Sequence, residues 1–209
     1  MNMKQRPPWI SWLILSREKS KRGDFMGATA TAIRKRHTYA DYEKLPEGSS
    51  YQLIGGELVM TPAPTPYHQR ISRKIEYALL QFVEANGLGE IFYAPIDIYL
   101  SNEETYQPDI IFISKERLSI IGEKKIEGAP DLVVEILSPA TAYYDLRHKM
   151  RVYEKSGVKE YWIVDPDEKT VELYESVGGE FSIFSKAREK GGVRSKLLPG
   201  LELDPAKIF

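Results

Sequence analysis

From Thr38 onward the chain falls into short blocks whose hydrophobic period switches between that of a helix and that of a strand. Thr38-Tyr39-Ala40-Asp41 has the spacing of a capping box and predicts a short helix, closed by Pro46 and Gly48. Residues 51–54 and 57–60 flank Gly55-Gly56, which is the pattern of a β-hairpin. After a proline-rich stretch, Thr65 is placed as an N-cap with Pro66 at the first helical position. Ile71, Ile75, Ala78, Leu79, Phe82 and Val83 then recur at helical spacing until Asn86-Gly87 stops the helix.

Strands are predicted next. Residues 91–100 alternate through Ile96, Ile98 and Leu100, and residues 109–113 form an apolar run bounded by Pro108 and Ser114. Residues 115–128 are charged and contain two glycines, which predicts a short helix and a loop. Residues 132–137 are apolar except for Glu135, a third strand. Helical period returns over 143–155 through Leu146, Met150 and Tyr153, ending at Ser156-Gly157, and residues 161–164 read as a buried strand. The tail suggests two strands around Gly178-Gly179 and a last one over 197–203. A helix between the strands at 132–137 and 161–164 implies a crossover, so the expected fold is α/β (α+β). It is a mixed β-sheet flanked by helices, with an N-terminal β-hairpin and extra C-terminal strands.

Composition narrows the chemistry. The chain has 209 residues, 42% hydrophobic and 28% charged, as expected of one globular domain. With 29 basic and 30 acidic residues there is no global attraction for nucleic acid, so any such binding relies on local patches. Cysteine is absent and histidines number 3, so a bound metal falls to carboxylate oxygens, which suit hard cations such as Mg2+. The apolar stretch at residues 9–15 is far shorter than the roughly 20 residues of a membrane helix. Lys4 and Arg6 precede it and Ala28-Thr29-Ala30 imitates a cleavage site, but Arg17, Glu18, Lys19, Lys21, Arg22 and Asp24 intervene. Secretion is rejected on that ground and a cytoplasmic location expected. Residues 1–25 carry no convincing period. Because residues 21–25 can be encoded by a purine-rich run like a ribosome-binding site, Met26 is a candidate start; a disordered basic arm is the alternative. The expected division is therefore 1–25, an extension or misassigned start, and 26–209, the domain.

Two carboxylates have neighbours that are wrong for them. Asp109 opens the run Ile110-Ile111-Phe112-Ile113, and Glu135 interrupts a wholly apolar strand. A charge there is costly unless it is paired or holds a metal. If the strands are neighbours, both carboxylates can face one side and hold a cation. The plainer alternative has Asp109 capping the strand entry and Glu135 paired with a basic residue. Lys149 lies beside the stripe of Leu146, Met150 and Tyr153, with Asp145 and Tyr153 one turn away on either side. It either aims along the sheet toward Glu135 or forms an intrahelical pair with Asp145 on a solvated face.

Pro108-Asp109, Glu135 and the order of elements resemble the PD-(D/E)xK nuclease superfamily. Gly56-Glu57-Leu58, Thr61-Pro62-Ala63-Pro64, His68, Val134-Glu135-Ile136-Leu137-Ser138-Pro139, Asp145, Lys149, Tyr153 and Tyr161-Trp162-Ile163-Val164-Asp165-Pro166 resemble, more closely, the Uma-two family of restriction endonucleases. The resemblance implies an endonuclease that hydrolyses DNA, with Asp109 and Glu135 holding Mg2+ (or Mn2+) and Lys149 assisting. Glu57 and His68 become further candidates for a water-mediated ligand or a phosphate contact, the plainer alternative being a polar hairpin edge and a first-turn helix residue. The superfamily's lysine would stand two residues after the glutamate, where this chain has Leu137, so the resemblance moves that role to Lys149. Glu123-Lys124-Lys125 matches the literal motif but sits in a polar, glycine-bounded stretch and is set aside. Arg70, Arg73 and Lys74, with Arg147, His148 and Arg151, are candidate DNA contacts unless they are simply solvated. Cutting both strands of a duplex calls for two sites, hence a homodimer. The alternatives are a nucleic-acid-binding scaffold that has lost turnover and a small-molecule phosphodiesterase. On the nuclease reading, Lys149→Ala is expected to abolish cleavage with the fold intact, and Lys125→Ala to be nearly silent.

Overall fold

A computed structural model of the chain describes residues 36–46, 48–139 and 141–209. The expected start at Met26 and the segment before it lie outside the described residues. The helices are α1 (Tyr39–Tyr42), α2 (Pro66–Asn86), α3 (Met150–Ser156) and α4 (Pro205–Ile208). The strands are β1 (Tyr51–Ile54), β2 (Glu57–Met60), β3 (Gly89–Tyr93), β4 (Ile98–Ser101), β5 (Glu104–Tyr106), β6 (Ile110–Ser114) and β7 (Ile126–Glu127). They continue with β8 (Leu132–Ile136), β9 (Glu160–Asp165), β10 (Thr170–Val177), β11 (Glu180–Arg188), β12 (Val193–Arg194) and β13 (Glu202–Leu203).

Local signals act where the chain predicts them. Thr38 donates its backbone N–H to Asp41 Oδ2 at 3.0 Å, closing the capping box. Gly55 and Gly56, at φ 58° and 75°, supply the left-handed pair that a tight hairpin needs, and β1 pairs with β2 from Tyr51↔Met60 to Ile54↔Glu57. Thr65 Oγ1 accepts from the His68 N–H at 3.1 Å to start α2, and Gly87 ends it in the left-handed region.

A six-stranded sheet runs β11-β10-β9-β8-β6-β3 and a five-stranded one runs β2-β1-β5-β4-β7, with β12 and β13 paired separately. In the larger sheet β8 and β9 are parallel and joined through α3, while the other pairs are antiparallel, the expected mixed sheet. Both faces of β8 are covered, which is why it reads as a continuous apolar run. Leu132, Val134 and Ile136 pack toward Ile71, Ile75, Leu79 and Val83 of α2. Val133, one residue out of phase, faces Tyr153, Tyr161, Ile98 and Tyr106 in a second core. By the same alternation Glu135 points into that second core.

Four expectations are corrected. Residues 91–100 are two strands in different sheets, because the chain turns at the cis Ala94–Pro95 bond and proline cannot donate to a ladder. The short helix expected within 115–128 is the 3-10 helix Lys115–Ile120, but strand β7 lies where only a loop was expected, and β5 was not anticipated at all. Of residues 197–203 only Glu202–Leu203 is strand; Leu198, Leu201, Leu203 and Ile208 instead close the core beside α2. Tyr144–Lys149 is a π-helical turn leading into α3. The wider turn re-aims its side chains, leaving Leu146 38% exposed and burying Asp145, Lys149 and Tyr153 in its place. Among the described residues no helix is long and apolar enough to cross a membrane.

Candidate active site

β6 and β8 run antiparallel with Ile110↔Val134, Ile111↔Val133 and Phe112↔Leu132 in register. Continuing that register by one residue sets Asp109 opposite Glu135. Asp109 Oδ2 accepts the Ile136 N–H at 2.7 Å, which fixes the carboxylate against the end of β8. Its Oδ1 lies 3.4 Å from His68 Nε2, and the same nitrogen is 3.2 Å from the Ile136 carbonyl oxygen. A carbonyl can only accept, so Nε2 carries the proton. Burial disfavours a charged ring at His68, but the hydrogen bond and charge of Asp109 outweigh it and hold the imidazole above its usual range.

Glu135 is 4% exposed, and its Oε1 accepts from Lys149 Nζ at 3.0 Å and from Tyr153 Oη at 2.7 Å. No described residue bonds Oε2. Lys149, 1% exposed, makes its second contact with Asp145 Oδ1 at 2.8 Å, so the ammonium sits between two buried carboxylates. Tyr106 and Tyr153 meet edge to face at 5.5 Å between ring centres, walling the cluster. Of the expected stripe Leu146, Met150 and Tyr153, only Tyr153 belongs to this cluster, and Lys149 is buried in it. The Asp145–Lys149 pair exists, but it is buried rather than solvated, so an alanine at 149 threatens the fold as well as any chemistry.

Charge in the cluster is unbalanced. Burial pushes Glu135 up to about 8; Lys149 opposes this, and the carboxylates of Asp145 and Asp109 add to it. Burial alone would lower Lys149, but Glu135 and Asp145 outweigh it and hold the ammonium charged well above its ordinary range. Two carboxylates within 3.0 Å keep the Lys149 ammonium charged. Both thus contact one ammonium while Asp109 adds its charge nearby, and the excess negative charge surfaces as proton affinity at Glu135. A divalent cation would relieve the same excess. Among the described residues no group of three or more His, Asp or Glu side chains is arranged to hold a metal. Asp109 and Glu135 as a pair still suit Mg2+, which keeps several waters and commonly takes only one or two carboxylates along with substrate phosphates.

A sequence profile of the Uma2 family, described as "Putative restriction endonuclease", matches residues 39–206. The chain belongs to the Uma2 family. It is 26% identical over 151 residues to the uncharacterized protein sll1609 of Synechocystis sp., covering 70% of this chain and 85% of that one. The fold is similar to the crystal structure of a putative nuclease belonging to DUF820 from Anabaena variabilis. That match has a TM-score of 0.69 at 24% identity and covers 82% of this chain and 97% of the other. Residue 137, two positions after Glu135, is a half-buried leucine on the way out of β8.

The remaining candidates divide. Glu57 is exposed at the start of β2, across from Ile54, a polar hairpin edge. Lys125 lays its ammonium over the rings of Tyr39 and Tyr99, 3.9 and 4.9 Å from their centres. Lys74 donates to the Ile208 carbonyl at 2.9 Å and so ties down α4. Arg147 lies 5.6 Å from the Tyr143 ring centre, and Arg151 is exposed. His148 is held by Glu104, Nε2 to Oε1 at 2.9 Å, and Glu104 Oε2 also accepts the Gly55 N–H at 2.8 Å. Glu104 and Tyr106 were missed because β5 has only three residues, too few for a period to register. Their one signal is the alternation of Glu104-Thr105-Tyr106.

Proposed function

We propose that this family member is a metal-dependent endonuclease that hydrolyses phosphodiester bonds of DNA, with Asp109 and Glu135 holding Mg2+ or Mn2+ and Lys149 assisting. The observation that carries the reading is Asp109 held by the Ile136 N–H one residue before the pair Ile110↔Val134, beside Glu135, with Glu135 Oε1 committed to Lys149 and Tyr153 and Oε2 bonded by no described residue. A bound cation would supply Lewis-acid stabilisation of the scissile phosphate and make water a better nucleophile. The chain's own groups do the rest. The Ile136 N–H fixes Asp109, while Lys149 and Tyr153 lock Glu135 in one rotamer and Lys149 offsets part of the carboxylate charge. Because the ammonium is buried, Lys149 acts as a positioning residue for Glu135. His68, whose Nε2–H lies between the Ile136 carbonyl and Asp109, helps to hold that carboxylate in position.

Calorimetric titration with Mn2+ tests the reading. The wild type is expected to bind, and Asp109→Asn combined with Glu135→Gln to lose binding; equal binding by both proteins would contradict it. Two sites acting on one duplex would come from a homodimer, and a sedimentation profile of monomer alone at working concentration would remove that part. A second reading, a nucleic-acid-binding scaffold without turnover, draws on Leu137 standing where the superfamily's lysine would be. It predicts DNA binding by a wild type that cuts nothing with either metal.

A further inference from the structure

A shallow groove of about 410 Å3 runs beside the first turns of α2, lined by Arg70 and Arg73 on the helix side and by Tyr93 and Ala94 on the other. The basic side chains here differ in how they are engaged. Lys74 is bonded to the Ile208 carbonyl, whereas Arg70 and Arg73 are exposed and have no hydrogen bond or ion pair with any described residue. Tyr93 ends β3, the edge strand of the larger sheet, and is 61% exposed, without an aromatic partner among the described residues. Glu76 also lines the groove, so its cationic character is confined to the two arginines. The groove leads to the candidate site by three links. Tyr93 pairs with Ile110, the Ala94 N–H donates to the Asp109 carbonyl at 3.0 Å, and His68, in the first turn of α2, reaches the Asp109 carboxylate.

We propose that this groove holds one unpaired strand of the DNA substrate next to the Asp109 end of the site. Arg70 and Arg73 take its phosphates and Tyr93 stacks on a base. The inference rests on the nuclease reading for its substrate and deepens it by naming the form of DNA. Guanidinium groups match phosphate oxygens in geometry as well as charge. The face of an exposed tyrosine is useful only to a base that is not already stacked inside a duplex. In a homodimer each protomer would take its own strand.

The test is fluorescence anisotropy with a labelled oligo-dT and a duplex of equal length, in metal-free buffer so that nothing is cut. Wild type is expected to bind the single strand more tightly than the duplex. Tyr93→Ala should weaken single-strand binding roughly tenfold and leave duplex binding unchanged. Arg70→Ala with Arg73→Ala should weaken it further and lower the log–log salt slope by about 1.4, two phosphate contacts at roughly 0.7 each. All three positions are exposed, so the variants should fold, which circular dichroism checks. Single-strand affinity and salt slope unchanged in these variants, or a wild-type preference for duplex, would overturn the proposal. Mn2+ titration on the same variants keeps the two ideas separate. Intact metal binding with unaltered DNA affinity removes the groove alone, whereas a wild type that binds no Mn2+ removes the metal reading and leaves anisotropy to decide the groove.

Discussion

Replacing Lys149 with alanine should be expensive for the fold, and the expense should depend on pH. The side chain is 2% exposed and lies between Glu135 and Asp145, themselves 5% and 1% exposed, at 3.0 and 2.8 Å. Removing one partner of a buried ion pair typically costs about 3–5 kcal/mol, because the charge left behind is uncompensated. A domain of this kind has a total stability of only about 5–15 kcal/mol. Two carboxylates lose their partner here, so a loss of roughly 4 kcal/mol at pH 8.5 is expected. Protonation is the escape. A carboxyl whose folded pKa is raised contributes stability that is complete below its unfolded value, 4.5 for Glu135, and is lost as pH rises through the folded value. Without the ammonium that value climbs above its present level of about 8, so the two proteins differ in Glu135 protonation only above that pH, and the deficit should be smaller at pH 5.5 than at pH 8.5 by less than about 1 kcal/mol. Urea unfolding of both proteins at the two pH values measures it. A deficit under about 1 kcal/mol that does not change with pH would refute the buried, charged triad.

Lys125→Ala gives up its contacts over Tyr39 and Tyr99, worth about 0.5–1 kcal/mol, so a small shift in unfolding midpoint and unchanged Mn2+ titration are expected. Asp131 is fully buried and bonded by Lys159 at 2.7 Å, Arg117 at 3.1 Å and the Ser114 N–H at 2.8 Å. Burial opposes its charge, but these partners outweigh burial and hold its pKa below 3.8. That contribution is present above the unfolded value and is lost as pH falls through the folded one. Thermal melts should therefore drop as pH is lowered below about 4. In Asp131→Asn this share of the acid sensitivity should be missing. Gly89→Ala would place a Cβ 2.0 Å from the Ile113 carbonyl oxygen at φ 150°, prising β3 from β6 at a cost on the order of 2–4 kcal/mol, readable in the unfolding midpoint.

What could be read from the chain depended on how local the governing physics is. The hairpin at Gly55-Gly56 and the bounds of α2 follow from caps and turn residues that act within a few positions. Asp109 and Glu135 stood out because a carboxylate in an apolar run contradicts its surroundings. Their pairing then needed only that β6 and β8 be neighbours. The break at Pro95 is masked in the pattern because Ile96, Ile98 and Leu100 keep the strand period on its far side. Regular α-helix over 143–155 would bury Leu146 and leave Lys149 beside the stripe, whereas the π-helical turn exposes Leu146 and buries Asp145 and Lys149, a change that hydrophobic period does not signal. Contacts such as Glu104 with His148 and His68 with Asp109 join residues 44 and 41 positions apart, and nothing in the spacing of either announces its partner.

Cleavage of supercoiled plasmid in Mn2+ and in Mg2+ tests the central claim most directly, comparing wild type with Asp109→Asn, Glu135→Gln and Lys125→Ala at equal folded fraction. The account predicts metal-dependent nicking by wild type and Lys125→Ala, and a loss on the order of 100-fold or more in each carboxylate variant. Activity surviving in Asp109→Asn and Glu135→Gln while disappearing in Lys125→Ala would contradict it and move the site to the polar stretch at residues 122–128.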